Sequence, residues 1–271
     1  MQPIKRVVVP LDTTSETRTA IDTASRLAAH WRVPLHGVFI EDEDLVCLAG
    51  LPFGCQITLT AGREPLTKSH IEDHFRAFAE RARRDLAAAA RRLKVAWSFE
   101  VVRGPLAIDT LEVGEHDFVV AGAVPLGSHF QIASHWWSSI VSVARPFLLA
   151  RREWETGGSV LAVLNHRTPG SARTLDLAAQ LAELFSGRLT VAGPPDLVGS
   201  DEFENWVSAL LQGASLALQT EPAVTEPAAL RQRIFELDCR VLVLEAGTAA
   251  ASPDEVRGEL ANLSCDLLVV N

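Results

Sequence analysis

Three groups of side chains in this sequence could do chemistry if the fold brought them together. Cys47, Cys55, His70 and His74 offer the thiolate and imidazole ligands that zinc prefers, and His70 and His74 stand i, i+4 on one helix face. The cysteine spacing is not that of a zinc knuckle, and a two-histidine helix pair reads more simply as a solvated face, so no metal is expected. His129, Ser134 and His135 place a nucleophile beside bases, but no G-x-S-x-G elbow presents the serine and no acid is placed by sequence. No catalytic residue is therefore assigned. The acidic run Glu41 to Asp44 has oxygen ligands for Mg²⁺ or Ca²⁺. Successive side chains cannot all face one ion, which leaves a solvated loop or the first turn of a helix.

Two further groups suit surfaces. Arg76, Arg83, Arg84, Arg91 and Arg92 alternate with Asp73, Glu80 and Asp85, a pattern of i, i+4 pairing on an exposed helix. Phe130, Trp136 and Trp137 could fill a ligand crevice or cap a partner surface. The formal net charge of −9 argues against nucleic-acid and anionic-membrane binding.

The elements that must position these groups alternate. Arg6 to Leu11 is a continuous apolar run with three valines, the pattern of a strand buried on both faces of a parallel sheet. Asp12 and Thr13 to Glu16 then offer caps for a helix over Thr19 to Ala29, and Val33 to Ile40 is the next strand. A helix that starts at the carboxyl end of the first strand turns free N–H groups toward the crevice where open α/β sheets hold small ligands. The segment with Pro52, Gly54 and Gly62 reads as irregular, and Ser69 to Leu93 as a long helix. Val95 to Val102 is a strand, Leu106 to Val113 a short helix, Asp117 to Gly122 a strand, Ser134 to Ala144 a helix and Pro146 to Ala150 a strand.

After the polar stretch Arg152 to Gly158 the pattern restarts. Ser159 to Asn165 repeats the first strand, and Asp22, Ala24, Leu27, Ala28 and Leu35 fall over Asp176, Ala178, Leu181, Ala182 and Leu189 at constant offset. Strands at Ser215 to Gln219, Arg240 to Glu245 and Asp266 to Val270, with helices near Asp201 to Gln212, Pro227 to Leu237 and Asp254 to Leu263, complete the second copy. The expected architecture is α/β: two tandem doubly wound, Rossmann-like domains, 1–152 and 158–271, each with a five-stranded parallel sheet. The four cysteines include no C-x-x-C pair, apolar runs are too short to cross a bilayer, and no signal-peptide pattern is present, so reduced thiols and a cytoplasmic location are expected.

Ile4 to Asp12, the helix from Thr19, the strand ending Gly37-Val38-Phe39, and the Asp117 to Gly122 strand with its helix and Arg145-Pro146 together resemble the universal stress protein family. The doubled pattern is similar to its tandem members. The resemblance implies an adenine-nucleotide-type crevice, with Pro10, Asp12 and Val38 at positions that contact adenine or ribose. It also implies a phosphate loop G-x2-G-x9-G-[S/T] after the fourth strand, an anion nest. Gly122 matches its first glycine and Ser134 its closing hydroxyl. Pro125 stands at the second glycine, however, removing an N–H donor, and the loop to Ala133-Ser134 is two residues short. In the second half Asn165 replaces Asp12, and no glycine series links Gly247 to Ser252-Pro253. Glu245 would repel a phosphate if it points inward.

These departures predict a non-catalytic stress-response binding or adaptor protein that has lost ATP binding, with a remnant pocket at Pro10, Asp12, Val38, Gly122 and Ser134. No cofactor is expected, and the partner is a protein or a small molecule, not nucleic acid or a membrane. An ATP- or AMP-binding protein with weak ATPase activity is the first alternative, and an adenine-nucleotide α-hydrolase-type enzyme the second. On the resemblance, the strands Phe147 to Ala150 and Leu267 to Val270 would pair the halves as an intramolecular pseudo-dimer, with a further homodimer left open.

Overall fold

The computed structural model of the chain describes residues 3–11, 17–49, 55–58, 62–65, 67–104, 111–122, 145–164, 168–185, 187–223, 226–245 and 263–270. In the first half the strands are β1 (Arg6–Leu11), β2 (Leu35–Asp42), β5 (Trp97–Gly104), β6 (Asp117–Gly122) and β7 (Phe147–Ala150). The helices α1 (Thr17–Trp31), α2 (Glu43–Ala49) and α3 (Lys68–Leu93) belong to this half, with a small antiparallel hairpin of β3 (Cys55–Thr58) and β4 (Gly62–Pro65) between the last two. The second half holds β8 (Ser159–Val163), α4 (Pro169–Phe185), β9 (Arg188–Gly193), α5 (Asp201–Leu210), β10 (Ala217–Pro222), α6 (Pro227–Glu236), β11 (Cys239–Glu245) and β12 (Asp266–Val270).

All main strands join one sheet in the order β10-β9-β8-β11-β12-β7-β6-β1-β2-β5. Within each half the pairing is parallel, and the order is third, second, first, fourth, fifth, so both halves have the doubly wound topology. The halves meet at β7 and β12, which pair antiparallel with Leu148 opposite Leu268. An edge that would otherwise expose bare backbone is thereby closed within the chain.

Strand alternation sorts the core into two layers. Val7, Val9, Leu11, Phe118, Val120, Val160, Ala162, Val241 and Val243 face α1, α3, α4 and α5, while Val8, Val38, Val119, Leu161, Leu242 and Leu267 face the other side. The helices are built for the first layer. α1 buries Ala20, Ile21, Ala24, Leu27 and Ala28, and α3 buries Phe75, Ala79, Ala82, Leu86, Ala89 and Ala90, each at helical spacing. Thr67 caps α3 by accepting from the His70 N–H at 3.3 Å, and Lys94 ends it in the left-handed region at φ 57°. Its outer face is exposed and carries ion pairs, Arg76–Asp73 and Arg83–Glu80 at i, i+3 rather than the expected i, i+4, and Arg81–Asp85 at i, i+4.

Two sequence expectations change. The segment read as irregular contains α2 and the β3–β4 hairpin. The acidic run supplies the end of β2 and the first turn of α2, where Asp42 Oδ1 accepts the Asp44 N–H at 2.9 Å. The short helix expected over Leu106 to Val113 does not reach its end, because Leu111 to Gly114 is non-helical. There Gly114 N–H is held at 2.7 Å by the Asp117 carboxylate, which also binds Arg6 on β1. That local contact competes with the helical ladder.

Gly37 marks where α3 presses closest to the sheet. A Cβ built on it would lie 2.6 Å from Leu86 Cδ2 and 3.2 Å from Leu11 and Phe99. Gly37→Ala is therefore an overpacking change, expected to lower the unfolding free energy by about 1–3 kcal/mol in a denaturant titration.

The joint between the halves is a stack. Arg26 of α1 lies 5.3 Å over the ring of Trp154 in the connecting segment, Trp154 meets Phe185 of α4 at a centroid distance of 4.5 Å, and Arg240 of β11 lies 5.4 Å from Phe185. Trp31 Nε1 adds a hydrogen bond of 2.6 Å to Gln180 Oε1 between α1 and α4. Beneath the stack Asp266 accepts the backbone N–H groups of Arg151 and Arg152 at 2.7 and 3.0 Å, fixing the exit of β7 to the start of β12.

Candidate functional site

In this topology the strand order reverses between the first and fourth strands, and ligands of open α/β sheets lie at the carboxyl ends of those two strands. In the first half the position is set by β1 and β6. Pro10 pairs with Val38 across β1 and β2, and both are buried, turned to the face opposite α1. Gly122 ends β6, half-buried and in register with Ala150. Asp12, Pro125 and Ser134, together with Phe130, Trp136, Trp137, His129 and His135, lie outside the described residues. Of the five residues expected to form a pocket, the structure therefore brings Pro10 and Val38 together and sets Gly122 at the strand end.

The second half holds a complete constellation at the equivalent point. Register matches the halves strand for strand: Val8 pairs with Val119 and Leu161 with Leu242, so Glu245 occupies in β11 the place of Gly122 in β6. Glu245 also pairs with Val270, as Gly122 does with Ala150. Its side chain lies on the α4 face and is 9% exposed. Thr168 Oγ1 donates to Glu245 Oε1 at 2.9 Å, and Ser171 Oγ donates to Oε2 at 2.8 Å.

The local sequence explains this clasp. Thr168-Pro169-Gly170-Ser171 begins α4: Pro169 suits the first helical position, Ser171 N–H donates to Thr168 Oγ1 at 3.1 Å, and Thr168 N–H donates to Ser171 Oγ at 3.4 Å. The two hydroxyls thus accept from the backbone and give their protons to the carboxylate. Gly170 lets it approach, since a Cβ there would stand 3.0 Å from Glu245 Oε1. A carboxylate at the start of a helix also lies favourably with respect to the helix dipole. Chemically the second crevice holds its own carboxylate, bonded by the two hydroxyls that begin α4.

From the sequence alone Glu245 bears on a phosphate only if it points inward, and Thr168 and Ser171 look like ordinary residues of a turn before a helix. The signals were present: a Thr-x-x-Ser spacing fits a capping box, and aligning the ends of the fourth strands superposes Glu245 on Gly122. Cys47 is exposed, as are His70 and His74 on α3. Cys239 and Cys265 are buried and free, and the hydrogen bond with the Cys265 thiol, together with burial, pushes the Cys239 thiol well up, which suits an inert core thiol.

No protein-family model matches the sequence, and no curated protein matches it. Solved structures do. A universal stress protein from Archaeoglobus fulgidus superposes with a TM-score of 0.64 at 12% identity, covering 99% of this chain and 97% of that one. The chain has the universal stress protein fold. A functionally unknown protein from Pseudomonas aeruginosa superposes with a TM-score of 0.59 at 15% identity over 99% of this chain and 93% of its own. Both likenesses span the two halves, so the universal stress fold accounts for the whole ten-stranded sheet and not for one half alone.

Proposed function

We propose that this chain is a tandem member of the universal stress protein family acting as a cytoplasmic, non-catalytic binding or adaptor protein. The observation that carries the reading is the Glu245 clasp. A carboxylate at the switch point of the second half, satisfied by Thr168 and Ser171, repels phosphate and fills the space it would need. In the first half Gly122 leaves the equivalent position without a side chain, but Pro125 and the shortened run to Ser134 deprive the loop of the backbone donors a phosphate nest requires. On this reading Pro10, Asp12, Val38, Gly122 and Ser134 would serve a small molecule without a polyphosphate.

Isothermal titration of the full chain with ATP and Mg²⁺, and with ADP and AMP, tests the reading. The expected result is no saturable heat with any of the three. One-site binding lost in Asp12→Ala would assign a nucleotide to the first half and replace the adaptor reading by that of an ATP- or AMP-binding protein.

A further inference from the structure

The sheet has two ends, and they differ. At one end β5 carries Glu100 and Arg103, with Arg103 tied to Glu41 at 2.7 Å and reaching toward Glu72 of α3 at 3.9 Å. Charged side chains of this kind blunt an edge against pairing. At the other end β10 reads Ala217-Leu218-Gln219-Thr220-Glu221-Pro222, and its single charge, Glu221, is neutralised by Arg233 of α6 through bonds of 2.9 and 3.0 Å. Among the described residues no strand covers its outer side.

The backbone there is available. Ala217 N–H donates inward to Gly187 and Ala223 N–H inward to Gly193, so in this parallel ladder the odd-numbered residues bond β9. Leu218 and Thr220 therefore turn their N–H and C=O groups outward, and Pro222 ends the row because it has no N–H. The apolar side chain of Leu218 on this strand is 38% exposed, and Val101 on β5 is 47% exposed, so the two edges differ in their charge and not in apolar exposure.

We propose that the outer edge of β10 is a self-association interface, on which β10 of a second copy pairs antiparallel about a two-fold axis through Gln219. The strand is complementary to itself in that register. Leu218 of each copy faces Thr220 of the other and exchanges both backbone bonds with it, giving four hydrogen bonds, while Ala217 meets Glu221 and no like charges are opposed. A chain of net charge −9 needs an uncharged surface to meet its own copy, and β10 provides one. The interface is isologous and closes at two copies, so it yields a dimer and not a fibre.

Analytical ultracentrifugation of the full chain over about a hundredfold range of concentration tests this. The wild-type mass is expected to rise from the 29.4 kDa of one chain toward twice that value. Thr220→Pro removes an outward N–H and none that bonds β9, and should hold the mass at one chain. Leu218→Lys, which places a charge on the edge, should do the same independently of any proline effect. A wild-type mass fixed at one chain overturns the proposal. So does undiminished dimerisation of both variants, or loss of the dimer on Val101→Lys at the β5 end instead.

Discussion

Arg240→Met is expected to lower the unfolding free energy by about 3–5 kcal/mol, because it strands a carboxylate in the joint between the halves. Arg240 and Asp266 are 2% and 1% exposed at the side chain and lie 3.4 Å apart, a charge pair rather than a close hydrogen bond. The guanidinium is held elsewhere: Nη2 donates to the carbonyls of Glu153 and Arg152 at 2.8 and 3.3 Å, and its plane lies over Phe185. Burial pushes the Asp266 carboxyl up, and the Arg240 charge and the Arg151 and Arg152 N–H groups pull it back down. Without Arg240 the carboxyl rises further. A carboxyl whose folded value exceeds its unfolded one costs stability above the folded value, and the cost is relieved as pH falls through it. The deficit of Arg240→Met should therefore be largest at neutral pH and narrow on acidification. Asp266→Asn keeps an acceptor for the two N–H groups, so the double variant should be no less stable than Arg240→Met alone. Urea titrations of the three variants at neutral and mildly acidic pH check this; additive losses with no pH dependence would show that the pair is not coupled.

The sequence exposed the scaffold better than the site, and the reasons are physical. Runs such as Val160 to Leu164 and Val241 to Leu244 are apolar on both faces because both faces of the sheet are covered, and few structures other than an interior parallel strand satisfy such a run. The repeat followed from helix spacing, since Leu27 and Leu181 hold the same place over their strands. The β3–β4 hairpin was illegible because four-residue strands beside glycine and proline carry little periodic signal. The clasp on Glu245 was half legible: its inward direction depends on strand parity, which Gly122 could not display for want of a side chain. Arg240 and Asp266 were invisible as a pair, because the contact joins two strands through a connecting segment whose course no local pattern encodes.

Glu245→Ala should cost about 2–4 kcal/mol, through the loss of two charge-assisted hydrogen bonds and of the anion at the start of α4. Thr168 and Ser171 would then lose the carboxylate that accepts their hydroxyl protons, in a place where Ser171 is fully buried, and could replace it only in part by the 3.0 Å contact between the two hydroxyls. Glu245→Gln should lose less, since its amide oxygen still accepts one hydroxyl. Glu245→Gly carries the further interest of copying Gly122 into the second half. With the carboxylate gone, the start of α4 is left with two hydroxyl donors and the favourable potential of a helix N-terminus for anions. Sulfate should therefore raise the melting temperature of Glu245→Gly more than that of wild type, beyond the general effect of the same ionic strength of chloride. Thermal unfolding of wild type and variant in the two salts separates the cases. A sulfate response equal in both proteins would mean that Glu245 only braces the helix. A response confined to the variant would mean that the Glu245 carboxylate occupies a place that binds an anion once the side chain is removed.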